Sequence, residues 1–427
     1  MIEPARIQAA IEILDQVADS LLNDGASADV LIRKYFRSRR YAGSKDRRYV
    51  TNLVYQVIRN WGFLSDAADS NIRKMVMLSL GGDADLEALF SGGDHGPEKI
   101  KDAEKKFLSA SHTEEDHHRL NYPEWLADRL RQRFPNDFEA ELTSLNGRAP
   151  FDLRVNKAKG TVTDVEVFLN SEDIPYRKGE WAENAIILEE NPRIDSWDIY
   201  KDGLVEIQDE AAQLAVELAT VQPGQQVMDL CAGAGGKTLA MAAEMENKGQ
   251  IYAFDNNARR LKDLKPRAKR ANVRILQGRH VDTAGGKRQA ILSDHRGRMD
   301  RVVLDVPCSG SGVWRRNPEL KWRLDDKGLD QYVRIQKNLL SEGWDFVKNG
   351  GHMIYMTCSL FQDENEQQIS DFLSKTSNAK LISYRDIYSQ KDLTTLSSIP
   401  ECLALSPNSH GTDGFFVAII EKTSLAQ

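Results

Sequence analysis

The chain is short of cysteine, has no long apolar run and carries no excess of positive charge, and each shortage removes a class of protein. Only four cysteines, at positions 231, 308, 358 and 402, stand in 427 residues. That is too few to staple a fold of this size, so they are expected as free thiols in a reducing compartment. Their wide spacing matches no zinc ribbon or knuckle, and no metal is expected. No apolar stretch approaches the roughly 20 residues needed to span a bilayer. The first residues, Met1 to Arg6, hold no apolar signal-peptide core, which predicts a cytoplasmic protein. A net charge of −7 gives no overall attraction to a polyanion. No internal repeat is visible.

What is present is an ordinary soluble composition, 41% hydrophobic and 28% charged. The length calls for two or three domains. The positive charges, though outnumbered, are gathered. Between Arg33 and Arg48 lie eight basic residues and one acid, interleaved with Tyr35, Phe36 and Tyr41. A second run goes from Arg259 through Lys262, Lys265, Arg267, Lys269 and Arg270 to Arg274, and a third comprises Arg315, Arg316, Lys321 and Arg323. Any one run is ordinarily a solvated helix face. Three together favour a polyanionic substrate.

Residues 3–80 carry apolar side chains at helical spacing, such as Ile7, Ala10, Ile11, Leu14 and Val17, and later Val50, Leu53, Val54 and Val57. Gly81 to Pro97 is rich in Gly, Asp and Ser and reads as a mobile loop. It opens a stretch with His95, His112, His117 and His118, whose spacing fits no metal motif. Strands are expected at Phe151–Asn156, Ala185–Leu188 and Leu204–Ile207, enough for a small α+β module. From Gln208 the rhythm becomes strand, glycine turn, helix. Strands are expected at Val227–Leu230, Gly249–Asp255, Val273–Leu276, Arg301–Leu304 and His352–Met356, with an edge strand at Phe415–Ile420. Such alternation predicts a doubly wound α/β sheet.

Three segments fall at the carboxyl ends of these strands, where open parallel sheets gather their chemistry. Asp229-Leu230-Cys231-Ala232-Gly233-Ala234-Gly235-Gly236-Lys237-Thr238 is a glycine-rich turn. Cys231 stands where a phosphate-binding P-loop requires its first Gly, and Thr238 stands where a dinucleotide fingerprint requires its third. A strand-end Asp255 on the next strand can accept ribose hydroxyls. The combination suits a nucleoside without a pyrophosphate, such as S-adenosylmethionine. The other two segments, Asp305-Val306-Pro307-Cys308-Ser309-Gly310 and Thr357-Cys358-Ser359-Leu360, each place a thiol beside small residues. A lone thiol there is more often packing. Two of them, with a carboxylate nearby, suit covalent activation of a pyrimidine. A thiolate adding to carbon-6 of cytosine makes carbon-5 nucleophilic toward a methyl donor.

The segments DLCAGAGGKT, DVPCSGSG, RRNPELKW and MTCSL resemble those of the NOP/Sun class of RNA cytosine-5 methyltransferases. The resemblance implies S-adenosylmethionine as cofactor, Cys358 as nucleophile and Cys308 as the thiol that assists release. It implies cofactor contacts at Cys231, Ala232, Gly233, Ala234, Gly235, Gly236, Lys237, Asp255, Asp282 and Asp305, with Asp305 also facing the cytosine ring. Ala234 replaces the proline usual in that loop. Arg6, Ala9, Lys45 to Arg48 and Tyr55 are similar to the NusB-like helical RNA-binding domain of the RsmB type. Tyr122 to Leu126, Leu153 to Asn156 and Gln208 to Ala211 resemble its linker module. The expected organisation is therefore an all-α NusB-like domain over 1–140, a small α+β (RRM-like) module over 141–206, and a Rossmann-like class I methyltransferase domain over 207–427. The implied partner is RNA, small-subunit ribosomal RNA first and transfer RNA second, and a monomer is expected. The contrasting reading is a catalytically degenerate RNA-binding or assembly factor, against which the intact Cys308, Cys358, Asp305 and Asp255 weigh.

Overall fold

The computed structural model describes residues 1–23, 25–82, 84–112, 115–389 and 392–424. Two compact units result, and they do not follow chain order. One comprises Met1–Gly147 with Val313–Asp325, the other Arg148–Gly312 with Asp326–Gln427.

The first unit is helical. Its long helix Glu3–Leu22 buries Ile7, Ala10, Ile11, Ile13, Leu14 and Val17. These side chains pack on helices Ala28–Ser38, Ser44–Arg59 and Ile72–Leu80, whose buried faces include Ile32, Val54, Val57 and Val76. Pro4 sits in the first helical turn, where its missing N–H costs nothing. The segment expected as a mobile loop, Gly81–Pro97, is partly ordered by packing. It contains the short helix Leu86–Leu89, and Phe90 is buried against the helical core. Asp83 in that segment, and residues 113 and 114 farther on, lie outside the described residues.

The segment Val313–Asp325 falls within the 207–427 stretch expected as the methyltransferase domain, yet it packs with the helices. Glu319 Oε1 accepts the Ala28 N–H at 3.1 Å and so satisfies an open donor at a helix start. Arg323 donates to Gly25 O, Ala26 O and Ser20 Oγ. Lys321 is buried and donates to Asn121 O and Asn146 Oδ1, each at 2.7 Å. Burial without a carboxylate partner drops its ammonium from 10.5 to about 7. Lys321 and Arg323 of the third basic run are thus spent on internal bonds.

The second unit holds two sheets. β1 (Phe151–Val155), β2 (Tyr176–Lys178), β3 (Ala185–Leu188) and β4 (Val205–Ile207) pair antiparallel in the order β2-β3-β1-β4. Helix Val162–Ser171, capped by Thr161, covers them with Val165 and Leu169. The larger sheet contains β5 (Gln226–Asp229), β6 (Gln250–Asp255), β7 (Leu276–His280), β8 (Met299–Asp305), β9 (Val347–Thr357), β10 (Ala379–Ile382), β11 (Leu403–Leu405) and β12 (Phe415–Lys422). The order is β10-β12-β9-β8-β5-β6-β7, with β11 on β12. β5 to β9 run parallel, and β12 lies antiparallel to β9. From β5 the chain winds one way through β6 and β7, then returns to β8 and β9 on the other side. The carboxyl ends of β5 and β8 therefore flank a topological switch point, where a ligand crevice opens in such sheets.

Two strand expectations need correction. The third strand is Leu276–His280 and not Val273–Leu276. It is an edge strand paired only with β6, and Gln277 to His280 are exposed, so apolar content is no guide to it. The Phe415 strand is interior and not an edge. It pairs with β9, β10 and β11, which accounts for six consecutive buried residues from Phe415 to Ile420. Among the described residues no helix is long and apolar enough to cross a membrane.

Candidate active site

The glycine turn leaves β5 at Asp229 and enters helix Gly236–Glu244. Gly233 and Gly235 have φ of +56° and +86°, a region that side chains disfavour. A Cβ at Gly235 would lie 2.1 Å from Leu264, so this position also needs its bare backbone for packing. At Gly233 a Cβ would meet nothing within 4 Å, which leaves open room on the ligand side. The turn is fastened from below. Ala232 N–H donates to Phe254 O at 2.9 Å, Arg267 Nη1 to Ala234 O at 2.8 Å and Arg154 Nη1 to Gly236 O at 2.7 Å. Arg267 thus fixes the backbone at Ala234. Arg154 is buried in the small module, and burial lowers its guanidinium to about 10.

Asp255 ends β6 and is 6% exposed. Its Oδ2 accepts Gly233 N–H at 2.8 Å and its Oδ1 accepts Asn257 N–H at 2.6 Å. Each oxygen keeps a further lone pair, so the carboxylate is oriented and can still take two hydroxyls. The cradle fits an adenosyl group: open space at Gly233, an anchored carboxylate at the next strand end, and no cluster of phosphate-seeking cations in the turn. Asp282 lies just past β7. Its backbone oxygen accepts Arg288 Nη1 at 2.9 Å, while the residue itself is exposed. Asp229 is buried and receives Thr238 Oγ1 at 2.6 Å. Burial pushes its carboxyl up to about 7, against the pull of that hydroxyl. Cys231 is a thiol held well above its ordinary value, first by burial and then by the carboxylates of Asp229, Asp305 and Asp255.

The two other rim loops converge. Cys308 Sγ and Cys358 Sγ are 3.4 Å apart, within hydrogen-bond reach for sulfur, and both are partly exposed. The bond to Cys358, burial and the Cys358 charge hold the Cys308 thiol well above its ordinary value, with a smaller push from Glu364. Asp305, at the end of β8, accepts Lys237 Nζ at 2.6 Å, and Lys237 also stands 5.0 Å from the centre of the Phe415 ring. Burial works against the Lys237 charge. Asp305, with further help from Cys358, outweighs it and holds the ammonium above its usual value. Lys237 was expected only as part of the cofactor turn. The structure pairs its charge with Asp305 at the end of β8.

Sequence reasoning missed Glu364, Gln336 and the serines that tie the thiol loops together. Glu364 is buried and receives Ser309, Ser359 and Gln336. Its only sequence signal is an acidic Asp363-Glu364-Asn365-Glu366 run, which looks like a solvated helix start.

Residues 216–421 match the family model for 16S rRNA methyltransferase RsmB/F. Residues 122–195 match the ferredoxin-like domain that accompanies it. The chain is 31% identical over 303 residues to Ribosomal RNA small subunit methyltransferase B of Photorhabdus laumondii, covering 70% of this chain and 66% of the relative. It is 33% identical over 311 residues to the protein of the same name from Yersinia pseudotuberculosis, covering 72% of this chain and 67% of the relative. The match thus spans about two thirds of these relatives' length. The crystal structure of PH0851 superposes over 99% of both chains with a TM-score of 0.81 at 24% identity, a shared fold. The Rossmann-like sheet, the cradle at its switch point and these matches agree: the chain belongs to the RsmB/F family of 16S rRNA methyltransferases, a family of S-adenosylmethionine-dependent enzymes.

Proposed function

We propose that this chain methylates carbon-5 of a cytosine in small-subunit ribosomal RNA through a covalent bond to Cys358. The observation that carries the reading is the pair of thiols 3.4 Å apart at the rim of β8 and β9. Methylation of an exocyclic nitrogen or of a ribose hydroxyl has no use for two of them.

The cofactor, S-adenosylmethionine, supplies a methyl on a sulfonium, ready for transfer to a carbon nucleophile. Asp255 would hold its ribose, the Gly233–Gly236 turn would pass beneath it, and Asp282 would flank it. On the substrate side, Cys358 Sγ adds to carbon-6 and the ring electrons move toward carbon-5. Lys237, kept charged by Asp305, also interacts with Cys358, and Asp305 faces the ring. S-adenosylmethionine bound in the cradle would supply the methyl to carbon-5, the methyl–sulfur bonding pair staying on the sulfur of S-adenosylhomocysteine. In release, the carbon-5 proton leaves, its bonding pair forms the carbon-5 to carbon-6 double bond, and the pair of the carbon–sulfur bond returns to Cys358. Cys308 stands to protonate the departing sulfur and to take the carbon-5 proton in exchange. Its thiol, held protonated, suits that role.

RNA docking falls to the helical unit, read as NusB-like. Lys34, Arg37, Arg40, Lys45, Arg47 and Arg48 are exposed there, and Tyr41 among them is 72% exposed. Such a surface suits phosphates and a stacked base.

Cys358→Ala tests the nucleophile. Methyl transfer is lost while S-adenosylmethionine affinity stays near native, because the thiol is outside the cradle. Normal turnover by that variant would reject the assignment.

A further inference from the structure

We propose that Glu364 is a positioning residue that fixes the separation of the two thiols and is required to release the methylated base. The inference rests on the cytosine-5 reading above. Glu364 ends the short turn Gln362–Glu364 behind the Cys358 loop and is fully buried. Its Oε1 accepts Ser309 N–H at 2.9 Å and Gln336 Nε2 at 2.8 Å. Its Oε2 accepts the hydroxyls of Ser309 and Ser359, each at 2.5 Å. Ser309 directly follows Cys308, and Ser359 directly follows Cys358. One carboxylate therefore holds the neighbour of each thiol. Four donors converge on it and pull against the burial that raises its carboxyl. Such charge-assisted bonds are shorter and stronger than neutral ones.

The two loops depend on this carboxylate unequally. The Cys358 loop has other supports. Thr357 Oγ1 donates to Asn365 Oδ1 at 2.6 Å and Asn365 Nδ2 to Ser359 O at 2.8 Å, while the Ser309, Ser311 and Ser359 hydroxyls and the bond from Gly312 N–H to Cys358 O tie the two loops to each other. The Cys308 loop leans on Glu364 directly through both polar groups of Ser309. It does so again through Gln336, whose amide donates to Pro307 O at 2.9 Å as well as to Glu364. Loss of the carboxylate frees Cys308 more than Cys358. Attack needs Cys358 alone, whereas release needs both. A fault in Glu364 should therefore appear in the second half of the reaction, as a trapped adduct in a protein that still has both thiols.

The test uses the full chain, a ribosomal RNA fragment and methyl-labelled S-adenosylmethionine, with the covalent complex followed on a denaturing gel. In Glu364→Gln and Ser309→Ala the labelled adduct forms at close to the native rate. It then decays about tenfold more slowly, the effect of one lost charge-assisted hydrogen bond. Cofactor affinity stays native in both. Native decay, or an equal loss of adduct formation and decay, would overturn the proposal, the second because it marks a merely structural role. Should Glu364→Gln fail to fold, Ser309→Ala carries the same test. Cys308→Ala separates this claim from the one beneath it. If that variant traps an adduct and neither of the others does, the Glu364 role alone is wrong. If none of the three forms an adduct, the covalent reading is wrong.

Discussion

Asp255→Ala probes the cradle most cleanly, because the geometry sets the size of the effect. The native carboxylate is already bound to Gly233 N–H and Asn257 N–H, so it does not need to be ordered when a ligand arrives. Hydrogen bonds to a charged group contribute about 1.5–3 kcal/mol each. Loss of one ribose bond at that value weakens S-adenosylmethionine binding roughly ten- to hundredfold, since about 1.4 kcal/mol is a decade. The orphaned Gly233 N–H and the loosened turn push the loss toward the upper end. Asp255→Asn keeps one oxygen acceptor and should lose less. Isothermal titration with S-adenosylmethionine and with S-adenosylhomocysteine gives both numbers, and a thermal melt shows that the variants fold. Native affinity in folded Asp255→Ala would refute the ribose role and with it the placement of the cofactor on β6.

Replacing Lys34, Arg37, Arg40 and Arg48 together should weaken RNA binding and flatten its salt dependence. Each lost phosphate contact lowers the log–log slope by about 0.7 to 0.9, and an unchanged slope would make this surface a solubilising face. Lys321 gives a pH effect with a definite sign. Its folded value of about 7 lies below the ordinary lysine value of 10.5. Between those limits the unfolded chain holds a proton that the folded chain lacks, so stability rises with pH across roughly 7 to 10.5. Melting temperatures of the native protein should climb relative to Lys321→Met over that window, and parallel curves would contradict the burial argument. Arg323→Ala removes the donors to Gly25 O, Ala26 O and Ser20 Oγ. It should lower the melting temperature without changing cofactor affinity.

Much of the site is legible in the sequence because its parts are local. The turn from Asp229 to Thr238 and the loops of Cys308 and Cys358 each carry their chemistry within a few residues of a strand end. Asp255 is found by its place in a strand-turn-helix rhythm. The remainder is built from partners far apart in the chain. Glu364 joins Ser309 across 55 positions, and Lys237 joins Asp305 across 68. Neither pairing has a local pattern. The segment from Val313 to Asp325 misleads for a related reason. Lys321 and Arg323 look like a cationic surface until Asn121, Asn146 and the turn at Gly25 are brought to them. β7 escapes the pattern because an exposed edge strand needs no apolar alternation. The interior place of β12 has no local signal because strand order is set by the whole sheet.

The most direct test of the central claim is the identity of the methylated nucleoside. The protein is incubated with small-subunit ribosomal RNA and methyl-labelled S-adenosylmethionine, the RNA is digested to nucleosides, and the label is assigned by mass spectrometry. The account predicts label in 5-methylcytidine, absent with Cys358→Ala. Label in a nitrogen-methylated or ribose-methylated nucleoside, or in 5-methylcytidine made equally well by Cys358→Ala, would contradict it.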